Sequence, residues 1–179
     1  MIKVGLFEKV SEQQFVKDYI STNPEISEEM AKEIYEKIKL PQRATIGSAG
    51  YDFFTPTDIK LVPNQTIKIP TGIRVKIDEG YFLGIVPRSG LGFKFALQLD
   101  NTIGVIDSDY YNSSNEGHIF IKMTNRTNEN KVLQVLEGQA IAQGIFFPFC
   151  ITYDDECFNT RNGGLGSTTK QNKKSKKII

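Results

Sequence analysis

The chain has 179 residues, 39% of them hydrophobic and 24% charged, with a formal net charge of +1. That supplies the apolar material for one folded core and excludes wholesale disorder, while a general nucleic-acid binder is expected to be more basic. One histidine, His118, and two cysteines, Cys150 and Cys157, give neither a zinc site of the usual ligand sets nor a disulfide scaffold.

The N-terminus has no long apolar stretch after a basic start, so neither a secretory signal nor a membrane span is expected. The expectation is a cytoplasmic protein with reduced cysteines, no membrane partner and no nucleic-acid partner. The basic tail of Lys173, Lys174, Lys176 and Lys177 is read as a solvated end.

In chain order, Ile2 to Phe7 is predicted as a strand. Ser11 followed by Gln14 reads as a capping box opening a helix with Phe15, Tyr19 and Ile20 on its apolar side. Asn23-Pro24 breaks it. Ser27 caps a second predicted helix with Met30, Ile34 and Ile38 on one face, Glu33 and Lys37 paired on another, and Pro41 as its stop. Residues 11–40 are therefore expected to form a helical hairpin inserted into a β domain.

From Pro41 onward the pattern is β. Ile67, Ile69, Ile73, Val75 and Ile77 alternate with Lys68, Arg74 and Lys76. Pro63-Asn64, Thr71-Gly72 and Glu79-Gly80 mark turns. Further strands are predicted at 81–86, 96–99, 118–124, 132–136 and 140–147. Many short strands with close turns imply an all-β fold, a jelly-roll-like barrel over residues 1–150. Residues 151–179, polar and glycine-rich, are expected to form a flexible C-terminal arm.

The sequence carries no Walker-type loop. Pro87-Arg88-Ser89-Gly90-Leu91-Gly92 follows a predicted strand, and its glycines would turn backbone N–H groups toward an anion beside the Ser89 hydroxyl and the Arg88 fork. Arg161-Asn162-Gly163-Gly164-Leu165-Gly166-Ser167-Thr168 repeats that chemistry on the arm. Each alone is as readily a plain turn; together they suggest two halves of a polyphosphate cradle. Between them, Asn101 to Tyr110 reads as a hairpin with Gly104 at its turn. Asp107 there is either a general base or one of several solvated carboxylates, the latter favoured from this segment alone.

Laid side by side, Ala49-Gly50-Tyr51-Asp52-Phe53, Pro87 to Leu91, Asn101 to Tyr110, Gly138 to Gln143 and Arg161 to Thr168 resemble, in order, the five signature motifs of the trimeric dUTPase family. The resemblance implies hydrolysis of dUTP to dUMP and pyrophosphate by a homotrimer with shared sites. It implies that the backbone from Asn101 through Gly104, Val105 and Ile106 reads the uracil edge, and that Tyr110 lies against the deoxyribose. Asp107 is implied as the general base. Arg88, Ser89 and Gly90 are implied on the α- and β-phosphates and Gln143 as a further phosphate contact. Arg161, Leu165, Gly166, Ser167 and Thr168 belong to the arm that closes over the nucleotide. Mg²⁺ is implied on the three phosphates, met by Asp52 through a water.

This sequence departs from the family pattern in places. Leu165 stands where a stacking phenylalanine is usual, and the arm is one residue shorter between Arg161 and Gly164. Tyr111 to Gly117 is longer than the common form and is expected to alter only a surface loop. The helical insert has no counterpart in the pattern and is expected to be peripheral to catalysis. Two rival readings are a dCTP deaminase, which would need a glutamate where Lys122 stands, and a catalytically silent nucleotide sensor or protein-binding relative.

Overall fold

The alternating isoleucines and valines fold as expected. In the computed structural model, which describes residues 1–157 and 161, they form β5 (Thr66–Pro70) and β6 (Ile73–Ile77), joined by a turn in which Gly72 takes φ +72°. Ile69, Ile73, Val75 and Ile77 are buried and the lysines between them point outward. The positive φ at Gly72 is not the only demand on that position. A Cβ there would sit 2.2 Å from Ile38 Cδ1, so the glycine also lets the N-terminal helical segment approach.

That segment starts one strand earlier. Strand β1 (Gly5–Lys9), placed a few residues later than the sequence suggested, pairs antiparallel with β6. Helix α1 (Glu12–Thr22) is capped by Ser11, whose hydroxyl accepts from the Gln14 amide at 3.1 Å. The other half of the expected capping box is not made. Glu116, distant in sequence, accepts from the Ser11 amide at 2.7 Å and from its hydroxyl at 2.6 Å, while the Gln14 side chain donates to Asp18.

Helix α2 (Glu28–Glu36) is capped by Ser27 as expected, and Ile34, with Ile38 just past its end, packs inward as expected, whereas Met30 does not. Ala31 is buried and Met30 is half exposed, because the helix rotates its small residue toward α1. The Glu33–Lys37 pair is replaced by Glu28–Lys32 at 2.7 Å and by Lys37–Glu137 at 3.3 Å.

The rest is strand and turn. After β2 (Gln42–Arg43), β3 (Tyr51–Phe54) and β4 (Ile59–Leu61), the chain passes through β5 and β6 into β7 (Tyr81–Pro87). A short helix α3 (Ser89–Phe95), which the sequence did not suggest, precedes β8 (Leu97–Leu99) and β9 (Gly104–Ile106). A 3-10 helix spans Ser108–Asn112, followed by β10 (Phe120–Asn125), β11 (Leu133–Val135) and β12 (Ala140–Pro148). The largest sheet runs β2-β3-β12-β7-β9, a second β5-β10-β8, and two pairs are β11-β4 and β1-β6.

The sheets share one core. Phe53, Leu83, Ile85, Ile121, Leu133 and Ile141 are fully buried, each contributing about 1.5–3 kcal/mol through area removed from water. Phe7 of β1 packs against Tyr51, Phe53 and Phe146, fastening the first strand to the five-stranded sheet. Asn125, fully buried, donates to the carbonyls of Leu61 and Lys131 and so ties β10 to β4 and to the loop before β11. No helix among the described residues is long and apolar enough to cross a membrane.

Candidate active site

Strand register brings the first group of polar residues together. β12 lies between β3 and β7, with Gln143 opposite both Asp52 and Val86. Side chains alternate across a strand, so Asp52, Gln143 and Val86 share a face, and Arg88, two residues beyond Val86, emerges on the same side. Arg88 Nε lies 3.1 Å from Asp52 Oδ1 and its Nη1 donates to the Ala140 carbonyl at 3.4 Å. Gln143 Nε2 donates to the Pro87 carbonyl at 3.2 Å. A Cβ at Gly50 would sit 2.3 Å from Gln143 Oε1; the absent side chain is what lets Gln143 lie across the cleft.

Gly50, Asp52, Arg88 and Gln143 line a cleft of about 460 Å³, together with Ala49, Ser89 and Gly90. Arg88 caps α3 without a side-chain hydrogen bond, and Ser89 and Gly90 are exposed in its first turn. Gly90 and Gly92 sit in helical backbone facing open space, and the left-handed residue is Ala96, φ 49°, which ends α3. The Arg88–Asp52 pair is partly solvated, so it fixes the guanidinium plane more than it stabilises the fold.

A second group forms after β9. The expected hairpin of residues 101–106 is a change of sheet. β8 pairs with β10 and β9 pairs with β7, so the flanking strands form no ladder with each other. The left-handed residue of the turn is Thr102, φ 66°, rather than Gly104. Gly104 is buried where a Cβ would lie 3.2 Å from Ile85 Cβ, a close backbone approach. Asn101 and Val105 are exposed and Ile106 is buried.

Asp107 then stands at the N-cap position of the 3-10 helix without a side-chain hydrogen bond to it, its carboxylate about half exposed. Tyr110 is buried. Its hydroxyl donates to the His118 carbonyl at 2.8 Å and accepts from Asn115 Nδ2 at 2.8 Å. Burial pushes the phenol pKa up, partly opposed by the Asn115 hydrogen bond.

Arg161 is the one residue of the second glycine-rich segment within the described residues; Leu165, Gly166, Ser167 and Thr168 lie outside them. Its guanidinium bridges two carboxylates of its own chain, Asp107 at 2.5 Å and Asp109 at 2.8 Å, and its Cζ sits 5.6 Å from the Tyr110 ring centroid. Asp109 was not singled out from sequence, although an acidic residue two positions from Asp107 is the available signal. The loop 111–117 is also more than a surface detail. Tyr111 donates to Glu8, Arg74 lies over the Tyr111 ring, and Glu116 grips Ser11.

The two groups do not meet within one chain. Ile106 pairs with Leu83, which sets Asp107 beside the Phe82 end of β7, while Arg88 follows the opposite end. Six residues of extended strand separate those levels, roughly 20 Å. Asp107 and Tyr110 are accordingly absent from the cleft lining.

The sequence model of the dUTPase family matches residues 36–169, starting after most of the helical segment. The deoxyuridine 5'-triphosphate nucleotidohydrolase of Lactococcus lactis is 40% identical over 134 residues, covering 73% of this chain and 88% of that protein. Among solved structures, a dUTPase from Streptococcus mutans superposes with a TM-score of 0.59 at 30% identity, over 82% of this chain and 97% of that one. A mutant dUTPase of Staphylococcus aureus phage phi11, described as coordinating a structural Mg(II) ion, superposes at 0.56 with 22% identity, over 71% and 94% of the two chains. With three quarters of its length matched by the family's sequence pattern and a curated relative at this level of identity, the chain belongs to the dUTPase family.

Proposed function

We propose that this protein hydrolyses dUTP to dUMP and pyrophosphate at sites built between chains of a homotrimer. The observation that carries the reading is the register of the five-stranded sheet. It gathers Asp52, Arg88 and Gln143 beside Ser89 and Gly90 at one end, and holds a solvent-facing Asp107 beside Tyr110 at the other. A site that needs both groups is completed by a neighbouring subunit. A closed cyclic trimer gives three equal sites of this kind.

In this reading the Arg88 fork, the Ser89 hydroxyl and the Gly90 amide hold the α- and β-phosphates, with Gln143 as a further contact. The backbone from Asn101 through Gly104, Val105 and Ile106 reads the uracil edge, and cytosine is rejected because its opposite donor pattern leaves buried groups unpaired. Tyr110 lies against the deoxyribose. Asp107 orients a water and takes its proton as the water oxygen bonds to the α-phosphorus. The bond from that phosphorus to the bridging oxygen breaks, and pyrophosphate leaves. Most of the rate comes from positioning and from cationic groups facing the phosphoryl oxygens.

Arg161 exchanges its two carboxylates for the γ-phosphate when substrate binds, and Leu165, Gly166, Ser167 and Thr168 complete the closure. Mg²⁺ suits this donor set. One carboxylate, Asp52, borders the cleft, which fits an ion carried on the triphosphate that keeps several waters. When bound, it would neutralise charge on the phosphates, and Asp52 would help hold it, through a water. Residues 1–150 are read as a jelly-roll-like barrel domain with the helical hairpin inserted at 11–40, and 151–179 as the arm. The setting is read as cytoplasmic, consistent with the two free, exposed cysteines.

The test is incubation with Mg²⁺ and dUTP, dCTP, dTTP or UTP, followed by assays for pyrophosphate and ammonia. Pyrophosphate is expected to be released far faster from dUTP than from the other three. Ammonia from dCTP would favour the deaminase, against which Lys122 speaks: it pairs with Asp100 at 3.0 Å on the surface, and an ammonium cannot shuttle the proton. No turnover of any of the four would leave a binding protein.

A further inference from the structure

The chain's one histidine is completely buried, and the reaction outlined above makes no use of it. Both ring nitrogens of His118 are engaged. Nε2 accepts from the Gly72 amide at 2.8 Å, so the ring hydrogen is on Nδ1, which lies 2.7 Å from Asp18 Oδ2 on helix α1. The same Asp18 oxygen accepts from Gln14 Nε2 at 2.7 Å. Burial alone would push the Asp18 pKa up, yet the hydrogen bonds from His118 and Gln14 bring it below the usual carboxylate value.

The backbone of His118 continues the connection. Its carbonyl accepts the Tyr110 hydroxyl at 2.8 Å, its amide donates to the Asn115 carbonyl at 3.0 Å, and Asn115 Nδ2 donates to the Tyr110 hydroxyl. Tyr110 in turn donates its amide to the Asp107 carbonyl at 3.2 Å. A hydrogen-bonded path therefore runs from α1 through His118 and Tyr110 to Asp107. A second tie, from Glu116 to Ser11, fastens the same loop to the start of the same helix.

We infer that Asp18 is a positioning residue for the reaction, acting through His118 to set the Tyr110 ring and the Asp107 turn. This rests on the reading that Tyr110 meets the deoxyribose and Asp107 the attacking water. It also replaces the expectation that the helical segment is peripheral. Asp18 precedes residues 36–169, so this support comes from outside the matched family region. Partners that orient a metal-binding imidazole without touching substrate commonly carry a 10–100-fold effect on activity, and an effect of that order is taken here for the Tyr110 ring.

The discriminating readout is the ratio of kcat/KM for dUTP over UTP in the full chain with Mg²⁺. Partial unfolding lowers both numbers by the same fraction and leaves the ratio alone, whereas a displaced Tyr110 ring admits the 2′-hydroxyl. Asp18→Ala is expected to lower the ratio about tenfold, and Asp18→Asn, which still offers an oxygen to Nδ1, to keep it within about threefold of wild type. Tyr110→Ala serves as the reference for loss of the ring. If Asp18→Ala does not fold, Asn115→Ala, at the half-exposed outer end of the same path, carries the same expected drop. An unchanged ratio in folded Asp18→Ala, or in Asn115→Ala, while Tyr110→Ala lowers it, would overturn the positioning role and leave the sugar contact standing. An unchanged ratio in Tyr110→Ala would overturn the sugar contact and the inference together.

Discussion

Asp107→Asn is expected to lower kcat for dUTP by roughly 10²–10⁴-fold, the usual worth of a positioned base, with a small change in KM. The amide keeps the shape of the side chain but cannot take a proton from water, and no helix cap is lost because the Asp107 carboxylate makes no capping hydrogen bond. Removing the Asp107 charge leaves Arg161 with Asp109 alone, so less must be broken before the guanidinium turns to phosphate, and the affinity for a non-hydrolysable dUTP analogue should be unchanged or slightly tighter. Steady-state kinetics with a pyrophosphate readout, beside equilibrium binding of the analogue, separates the two quantities. Near-normal turnover would remove Asp107 from the chemistry.

Arg88→Ala is expected to cost about 10²–10³-fold in kcat, comparable to removing one donor that faces the developing charge. Arg88→Lys should recover only part of it. The guanidinium is held in plane by Asp52 at one nitrogen and the Ala140 carbonyl at another, and an ammonium cannot satisfy both while pointing at phosphate. A loss confined to KM would mean that Arg88 binds substrate and transition state equally. The contrast between the lysine and alanine variants then distinguishes fork geometry from charge alone.

Local chemistry was legible in the sequence wherever a short-range rule decides. Ser11 and Ser27 cap their helices because a hydroxyl three residues from a free amide has few competitors. Ile69, Ile73, Val75 and Ile77 fall inward because the period of a strand is two. Features decided by distant partners were not legible. Glu116 displaces Gln14 at the Ser11 amide across the whole fold. Ala31 faces the core in place of Met30 because α1 sets the rotation of α2. Ser89 to Phe95 forms a helix despite two glycines, where local propensity alone favours a loop.

The same division holds at the site. The residues that suit a triphosphate, Arg88, Ser89, Asp107 and Arg161, stand out once the five motifs are set beside the family pattern, and Asp107 only then. Their separation does not. Only the pairing of Leu83 with Ile106, and of Val86 with Gln143, shows that Arg88 and Asp107 lie at opposite ends of β7. His118 reads from sequence as a lone titratable residue; its partners Asp18 and Gly72 come from two other elements, and no spacing rule connects them.

The shared site is tested most directly by mixing two inactive proteins, Arg88→Ala and Asp107→Asn. Each chain carries one lesion and one intact half. After equal amounts are dissociated together and reassembled, a site that takes Arg88 from one subunit and Asp107 from its neighbour is intact in about one case in four in a closed ring. Activity toward dUTP should return to about a quarter of wild type, the statistical share of that ring. If each chain holds its own complete site, every site in every mixture keeps a lesion. Verified mixed oligomers that stay as inactive as their parents would contradict the account.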